Sequence, residues 1–150
     1  MEIRLERSDT ATSLALQEAY FDHIAERYPG WNPGMIPSAD PDELTAPNGA
    51  WVVAYLDGTP VGCAGVKRLD PTTGEVKRVF VLPDARGRGG ARALMEALES
   101  HGRELGFERL RLDTGDRLPG ALELFRGLGF REIDDYNGNP FASFWMEKRL

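Results

Sequence analysis

Between Arg86 and Arg92 the chain reads RGRGGAR, three glycines and three arginines in seven residues. A strand-like run, VFVL, ends just before Pro83, and an apolar helical pattern begins just after the glycines. A helix starting there leaves its first N–H groups without intrahelical partners, and its dipole makes that end positive. Gly87, Gly89 and Gly90 carry no Cβ, so an anion can come close to the backbone. Arg86, Arg88 and Arg92 add formal charge. The combination suits a phosphate or pyrophosphate. A turn that is merely tight needs the glycines but not the arginines. A Walker A loop is excluded, because Gly89-Gly90-Ala91 stands where Gly-Lys-Ser/Thr is required. The dinucleotide fingerprint G-x-G-x-x-G fits in part: Gly87 and Gly89 match, Arg92 takes the third position, and Asp113 could imitate the ribose-binding acid. That nicotinamide reading stays open at this point, and it requires a wholly parallel sheet.

Other chemistry is sparse. Cys63 is the single cysteine, so no internal disulfide exists, and its apolar setting VGCAGV predicts an inert core thiol. His23 and His101 fall in helical patterns, where solvated or half-buried structural roles are expected. No zinc-ligand spacing occurs and no metal is expected. The formal charge is −6, with no basic stripe of the kind that binds nucleic acid. No apolar run approaches the roughly 20 residues of a membrane helix. The first residues, MEIRLERSDT, lack a signal-peptide core, so the expected location is cytoplasmic and no membrane partner is expected. The 150 residues suit a single domain over 1–150.

These groups must be positioned by an alternation of strands and helices. MEIRL predicts a first strand, and Ser8 or Asp9 can cap the helix that follows. Leu16, Tyr20 and Ile24, with Phe21 beside them, repeat at helical spacing up to Tyr28-Pro29-Gly30. Residues 30–49 read as a loop with a short helix over 42–45, either a binding loop or a mere connector. Asp57-Gly58 marks a hairpin, 70–74 a further turn, and 75–82 a third strand. A helix is predicted over 88–105, ending at Gly106, with Ala91, Leu94, Leu98 and Leu105 on one face. A strand over 109–114, a short helix over 119–128 opened by Pro119, and strands over 130–133 and 141–150 complete the chain. The strand–helix–strand unit around the glycines implies one parallel, right-handed crossover in a mostly antiparallel sheet. The fold class is α+β (mixed α/β), with helices flanking the sheet.

Residues 75–133 resemble the GNAT superfamily of acyl-CoA-dependent N-acetyltransferases, and the resemblance extends over nearly the whole chain. The family's phosphate loop reads Arg/Gln-x-x-Gly-x-Gly/Ala, and Arg86, Gly89 and Ala91 fill those positions. EVKRVFVLPDARGRGGARALMEAL and ALELFRGLGF both look like family segments. The resemblance implies acetyl-CoA as cosubstrate. Its pyrophosphate would rest on the backbone of Arg86, Gly87, Arg88, Gly89, Gly90 and Ala91. Its pantetheine arm would pair with Val79, Phe80 and Val81, which requires that strand to splay from the one at 110–114. Arg126 could reach the 3′-phosphate or simply be solvated.

Direct attack by an amine needs a base, a donor for the thioester oxygen, and a fate for the leaving thiolate. By the resemblance Glu75 is the candidate base, and the backbone N–H of Phe80 or Val79 the oxyanion donor. Many relatives carry a tyrosine acid where this chain has Phe125, which can pack against the cofactor arm but cannot donate a proton. Tyr136 is the nearest substitute by chain position, as acid or as pocket wall. Asp134 and Asp135 could attract a cation, Trp31 could wall the acceptor site, and Trp145 could sit in the core. The implied activity is acetyl transfer to the amine of a small molecule, peptide or protein. A catalytically weak acyl-CoA-binding or regulatory module is the alternative that Phe125 suggests. Oligomeric state stays open, although family members often form homodimers.

Overall fold

The computed structural model describes residues 1–35, 39–118 and 120–150. Strand β1 (Glu2–Leu5) leads into helix α1 (Ala11–Arg27). Strands β2 (Gly49–Leu56), β3 (Thr59–Asp70) and β4 (Thr73–Val81) follow as an antiparallel meander. Helix α2 (Gly90–Glu104) crosses over to β5 (Arg109–Thr114), and α3 (Ala121–Gly127), β6 (Arg131–Ile133) and β7 (Phe144–Arg149) complete the order. Short 3-10 turns lie at Pro33–Met35, Pro41–Leu44 and Pro83–Ala85. The described strands form one sheet in the order β1-β2-β3-β4-β5-β7-β6. Only β4 and β5 pair in parallel. The mixed α+β expectation therefore holds, and the wholly parallel sheet that a nicotinamide-binding reading demands is ruled out.

The two faces of the sheet bury different sets of side chains, as strand alternation dictates. One face carries Val52, Val66, Val76, Leu110 and Leu112 under α2, whose Leu94, Met95 and Leu98 are fully buried. Each such side chain contributes roughly 1.5–3 kcal/mol by leaving water. The other face carries Trp51, Val53, Cys63 and Phe80 beneath α1, with Leu16 and Leu44 packed on them. Ile24, Tyr28 and Trp31 form a smaller apolar group at the end of α1.

Several boundaries differ from the sequence reading; β4 starts at Thr73 rather than Glu75 and β7 at Phe144 rather than Phe141. Thr10 caps α1, its Oγ1 accepting from the Ser13 N–H at 3.0 Å. Asp9 is instead held by Arg7, and buried Ser8 gives its carbonyl to the Gln17 amide. Helix α2 begins at Gly90 rather than Arg88, because Gly87 and Gly89 have φ of 80° and 78°, outside any right-handed helix. Pro119, expected to open α3, lies outside the described residues, as do 36–38 of the long loop.

Candidate active site

Strands β4 and β5 pair only over Thr73–Arg109, Gly74–Leu110 and Glu75–Arg111. Beyond Glu75 they diverge, as the resemblance required. A bulge accompanies the divergence. Cys63 faces Phe80 and Gly65 faces Lys77, so Arg78 and Val79 together oppose Ala64. Arg78 takes the extra residue's strain with φ of 57°. The edge of β4 at Val79, Phe80 and Val81 thus lacks a strand partner on the β5 side.

The glycine loop stands at the end of this edge. An ideal Cβ placed on Gly87 or Gly89 meets nothing within 4 Å, so their faces are open. The N–H groups of Gly90, Ala91 and Arg92 open α2 and have no carbonyl within it to accept them. This cradle fits a pyrophosphate. Arg86 departs from expectation. Its N–H donates to Pro83 O at 3.3 Å, its Nε donates to Val81 O at 3.0 Å, and its guanidinium lies over the Phe80 ring. It props the turn, which leaves the residues from Gly87 onward to face an anion. Arg126 is exposed and paired with Glu132 at 2.5 Å, and Phe125 is core, its ring against Phe130.

Glu75 is buried, at 4% exposure. Lys77 Nζ lies 2.7 Å from its Oε1, and the Tyr136 hydroxyl donates to Oε2 at 2.7 Å. Asn137 Nδ2 reaches the same oxygen at 3.4 Å and Asp113 Oδ2 at 2.6 Å. Asn139 Nδ2 donates to the other Asp113 oxygen at 3.2 Å, and Trp145 Nε1 fixes Asn137 through Oδ1 at 2.8 Å. Burial pushes the Glu75 pKa up, but Lys77, Tyr136 and Asn137 together outweigh it and hold the carboxyl below its usual range. Burial pushes Asp113 the other way, helped by the charge of Glu75. Tyr136 is held far above the ordinary phenol range by burial and by Glu75. The two carboxylates thus differ in direction: the surroundings of Glu75 favour its ionised form, and those of Asp113 disfavour it.

Both open onto a cavity of about 660 Å³ between α1, β4, β5 and the loop before β7. Trp31 walls it with Phe21, Tyr28 and Phe141. Asp134 and Asp135 do not line it. Asp135 Oδ1 accepts from the backbone of Asn137 and Gly138 and so makes the turn. Trp145 is half-buried and serves Asn137. Cys63 is fully buried, its thiol pushed up to about 12 by burial, an inert core thiol as predicted. His23 stacks near Phe80 with Nδ1 against Arg27, and His101 pairs with Glu104, both half-buried.

The sequence reading missed Lys77, Arg78, Asn137 and Asn139, and considered Asp113 only as a ribose ligand. Lys77 was findable, since residues two apart share a strand face. The bulge that turns Arg78 into the cavity leaves no mark in residue type.

The sequence matches the acetyltransferase (GNAT) family over residues 16–130. It is 33% identical over 132 residues to the IAA acetyltransferase of Azospirillum brasilense, covering 85% of this chain and 84% of that protein. An acetyltransferase of the GNAT family from Staphylococcus aureus superposes with a TM-score of 0.77 at 17% identity, covering 99% of each chain. A GNAT family acetyltransferase from Elizabethkingia anophelis with acetyl-CoA bound superposes with a TM-score of 0.70 at 17% identity, covering 99% of this chain and 97% of that one. A cradle at the head of α2, an unpaired β4 edge and a carboxylate-lined cavity thus occur together in a chain that belongs to the GNAT acetyltransferase family.

Proposed function

We propose that the chain transfers an acetyl group from acetyl-CoA to a primary amine by direct attack. The observation that carries this reading is the continuity of the site. The glycine cradle, the free edge of β4 and the Glu75 cavity lie along one strand and the loop that follows it. Acetyl-CoA would bring an activated thioester. Gly87, Arg88, Gly89, Gly90 and Ala91 would hold its pyrophosphate through backbone N–H groups, with Val79, Phe80 and Val81 alongside its arm. That a fold neighbour was crystallised with acetyl-CoA supports the assignment.

In this reading the amine nitrogen attacks the thioester carbon. A C–N bond forms, the C–S bond breaks, and one proton leaves the nitrogen. Glu75 receives that proton through ordered water, its carboxylate held by Lys77 and Tyr136. The backbone N–H of Val79 or Phe80, at or beside the bulge, would meet the developing oxyanion. Tyr136 acts as a positioning residue. Its proton is engaged by Glu75 and its acidity is suppressed, so the thiolate leaves as an anion and takes its proton from solvent. The products are the free thiol and an N-acetyl compound.

Calorimetric titration with acetyl-CoA, beside NADH and with Gly89→Trp, tests the reading. Binding of acetyl-CoA but not NADH is expected, with loss in Gly89→Trp. No binding to folded protein would overturn it.

A further inference from the structure

Trp145 does not line the cavity, yet one side chain joins it to both carboxylates there. Register brings the groups together. Asp113 on β5 lies directly opposite Trp145 on β7, and residues opposite one another in an antiparallel pair share a face of the sheet. Glu75 pairs with Arg111, two residues before Asp113 on that same face. The segment between β6 and β7 then carries Asn137 to within hydrogen-bond reach of Trp145, Asp113 and Glu75.

The Asn137 amide can meet these groups in one orientation. An indole N–H only donates, and an ionised carboxylate only accepts. The amide oxygen must therefore face the indole and the NH2 group the carboxylates. Oδ1 accepts from Trp145 Nε1 at 2.8 Å and from the Asn139 backbone N–H at 3.1 Å. Nδ2 donates to Asp113 Oδ2 at 2.6 Å and to Glu75 Oε2 at 3.4 Å. The reversed amide would set its oxygen against two carboxylates and its NH2 against two donors.

Neighbouring carboxylates tend to hold one proton between them, because like charges disfavour double ionisation. Asn137 offers each of them a hydrogen, and an amide neither releases nor takes up a proton near neutral pH. It bridges the pair without relaying a proton. The contact favours the charged form of both: it helps to hold Glu75 below its usual range and opposes the burial that raises Asp113. Charged or titratable groups also face the pair from the elements packed around it. Lys77 and Arg78 come from β4, Lys67 from β3 and Tyr20 from α1, all lining the same cavity. Arg111 on β5 lies over the ring of Tyr136, whose hydroxyl donates to Glu75.

Building on the base role proposed for Glu75, we infer that Trp145 and Asn137 are positioning residues for that base. The indole fixes the amide, and the amide keeps Glu75 and Asp113 from sharing a proton.

The test titrates the base directly and needs no acceptor. Protein carrying isotope-labelled glutamate is followed by NMR through acid pH, the Glu75 signal being the one lost in Glu75→Gln. Each donated N–H favours the carboxylate, so its removal raises proton affinity. Asn137→Ala should raise that of Glu75 about 10-fold, and Trp145→Phe about 3-fold, because the Asn139 N–H still holds the amide. In the Asn137→Ala background Trp145→Phe should add nothing. An unmoved Glu75 titration in Trp145→Phe, or the same shift with Asn137 already gone, would overturn the inference. The wild type decides the matter if a variant fails to fold. There the Trp145 indole N–H signal should move with the carboxylate titration, and that of Trp51, which donates to Ser13 Oγ, should not. A Trp145 signal indifferent to that titration would overturn the inference equally. Calorimetry with acetyl-CoA separates the two proposals. Absent shifts in protein that binds acetyl-CoA would overturn this inference alone, whereas absent binding would remove the proposed reaction and with it the base that these residues position.

Discussion

Replacing Tyr136 by phenylalanine deletes one hydroxyl and leaves the ring beneath the Arg111 guanidinium, which lies 5.6 Å from it. The lost contact is the 2.7 Å hydrogen bond to Glu75, a carboxylate that is 4% exposed. A hydrogen bond to a buried charged group contributes about 1.5–3 kcal/mol, and one to a neutral group about 0.5–1.5 kcal/mol. Tyr136→Phe should therefore cost about 1.5–3 kcal/mol in the wild-type background at pH 7, and about 0.5–1.5 kcal/mol once Glu75→Gln has removed the charge. Urea unfolding of the four proteins measures both steps without any acceptor. The pH dependence has a definite sign. The folded pKa of Glu75 lies below its ordinary value of 4.5, so its stabilising contribution is present above 4.5 and fades as pH falls through the folded value. The cost of Tyr136→Phe should shrink over that same range. Where turnover is measured, the acid limb of kcat/KM should move to higher pH in Tyr136→Phe, because removing the donor disfavours the carboxylate. Additive energies in the cycle, or an unmoved acid limb, would refute the claim that Tyr136 acts through Glu75.

Three further outcomes are expected. Gly74→Ala would bring a Cβ to 2.6 Å from Phe107 and 2.8 Å from Val66; chemical unfolding should show a loss of about 1–3 kcal/mol, and an unchanged midpoint would contradict the close packing. Met146→Ala removes a fully buried side chain from beneath the α2 face, and should cost about 2–5 kcal/mol in the same assay. The Cys63 thiol should resist a thiol reagent at pH 8 in native protein and react fully in denaturant; rapid native labelling would show that the core over Phe80 is open.

Much of the scaffold was legible because local chemistry decides it. Asp57-Gly58 demands two positive φ values, and the hairpin adopts 50° and 80° there. Strand β5 occupies the residues expected, bounded by the Gly106 stop before it and Gly115 after it. The start of α2 was misplaced by two residues, since a glycine read as a helix former can also take the left-handed conformation that delays the helix. The open glycine turn at the head of α2 was legible for the same reason, being built from consecutive residues. The cluster around Glu75 was legible only in outline. Glu75 and Tyr136 stand 61 positions apart, and nothing local says that one will donate to the other. Asp134 and Asp135 drew attention by being adjacent to Tyr136, yet neighbours in a turn point outward. Asp113, set by strand register, points into the cavity.

The missing tyrosine acid and the presence of Tyr136 bear on one another. At the position where the resemblance implies a tyrosine acid, Phe125 is buried against Phe130, so the helix end is held by packing rather than by a polar group. In the proposed reaction Tyr136 does not take over as the acid. Its hydroxyl keeps the proton and donates it in a hydrogen bond to Glu75, and burial beside two carboxylates makes it a firm donor and a poor acid. One proton cannot both fix the base and meet the departing sulfur. The site is thus weighted toward the nucleophile. Glu75 is held by Lys77 and Tyr136, while Asp113 is held by the side-chain amides of Asn137 and Asn139. A thiol, with an ordinary pKa near 8.5, leaves tolerably as its anion, whereas an ammonium near neutral pH cannot attack at all until it is deprotonated. In the proposed reaction the residues present would address the larger of the two proton problems in amide formation from a thioester, and Phe125 would leave the smaller one to water.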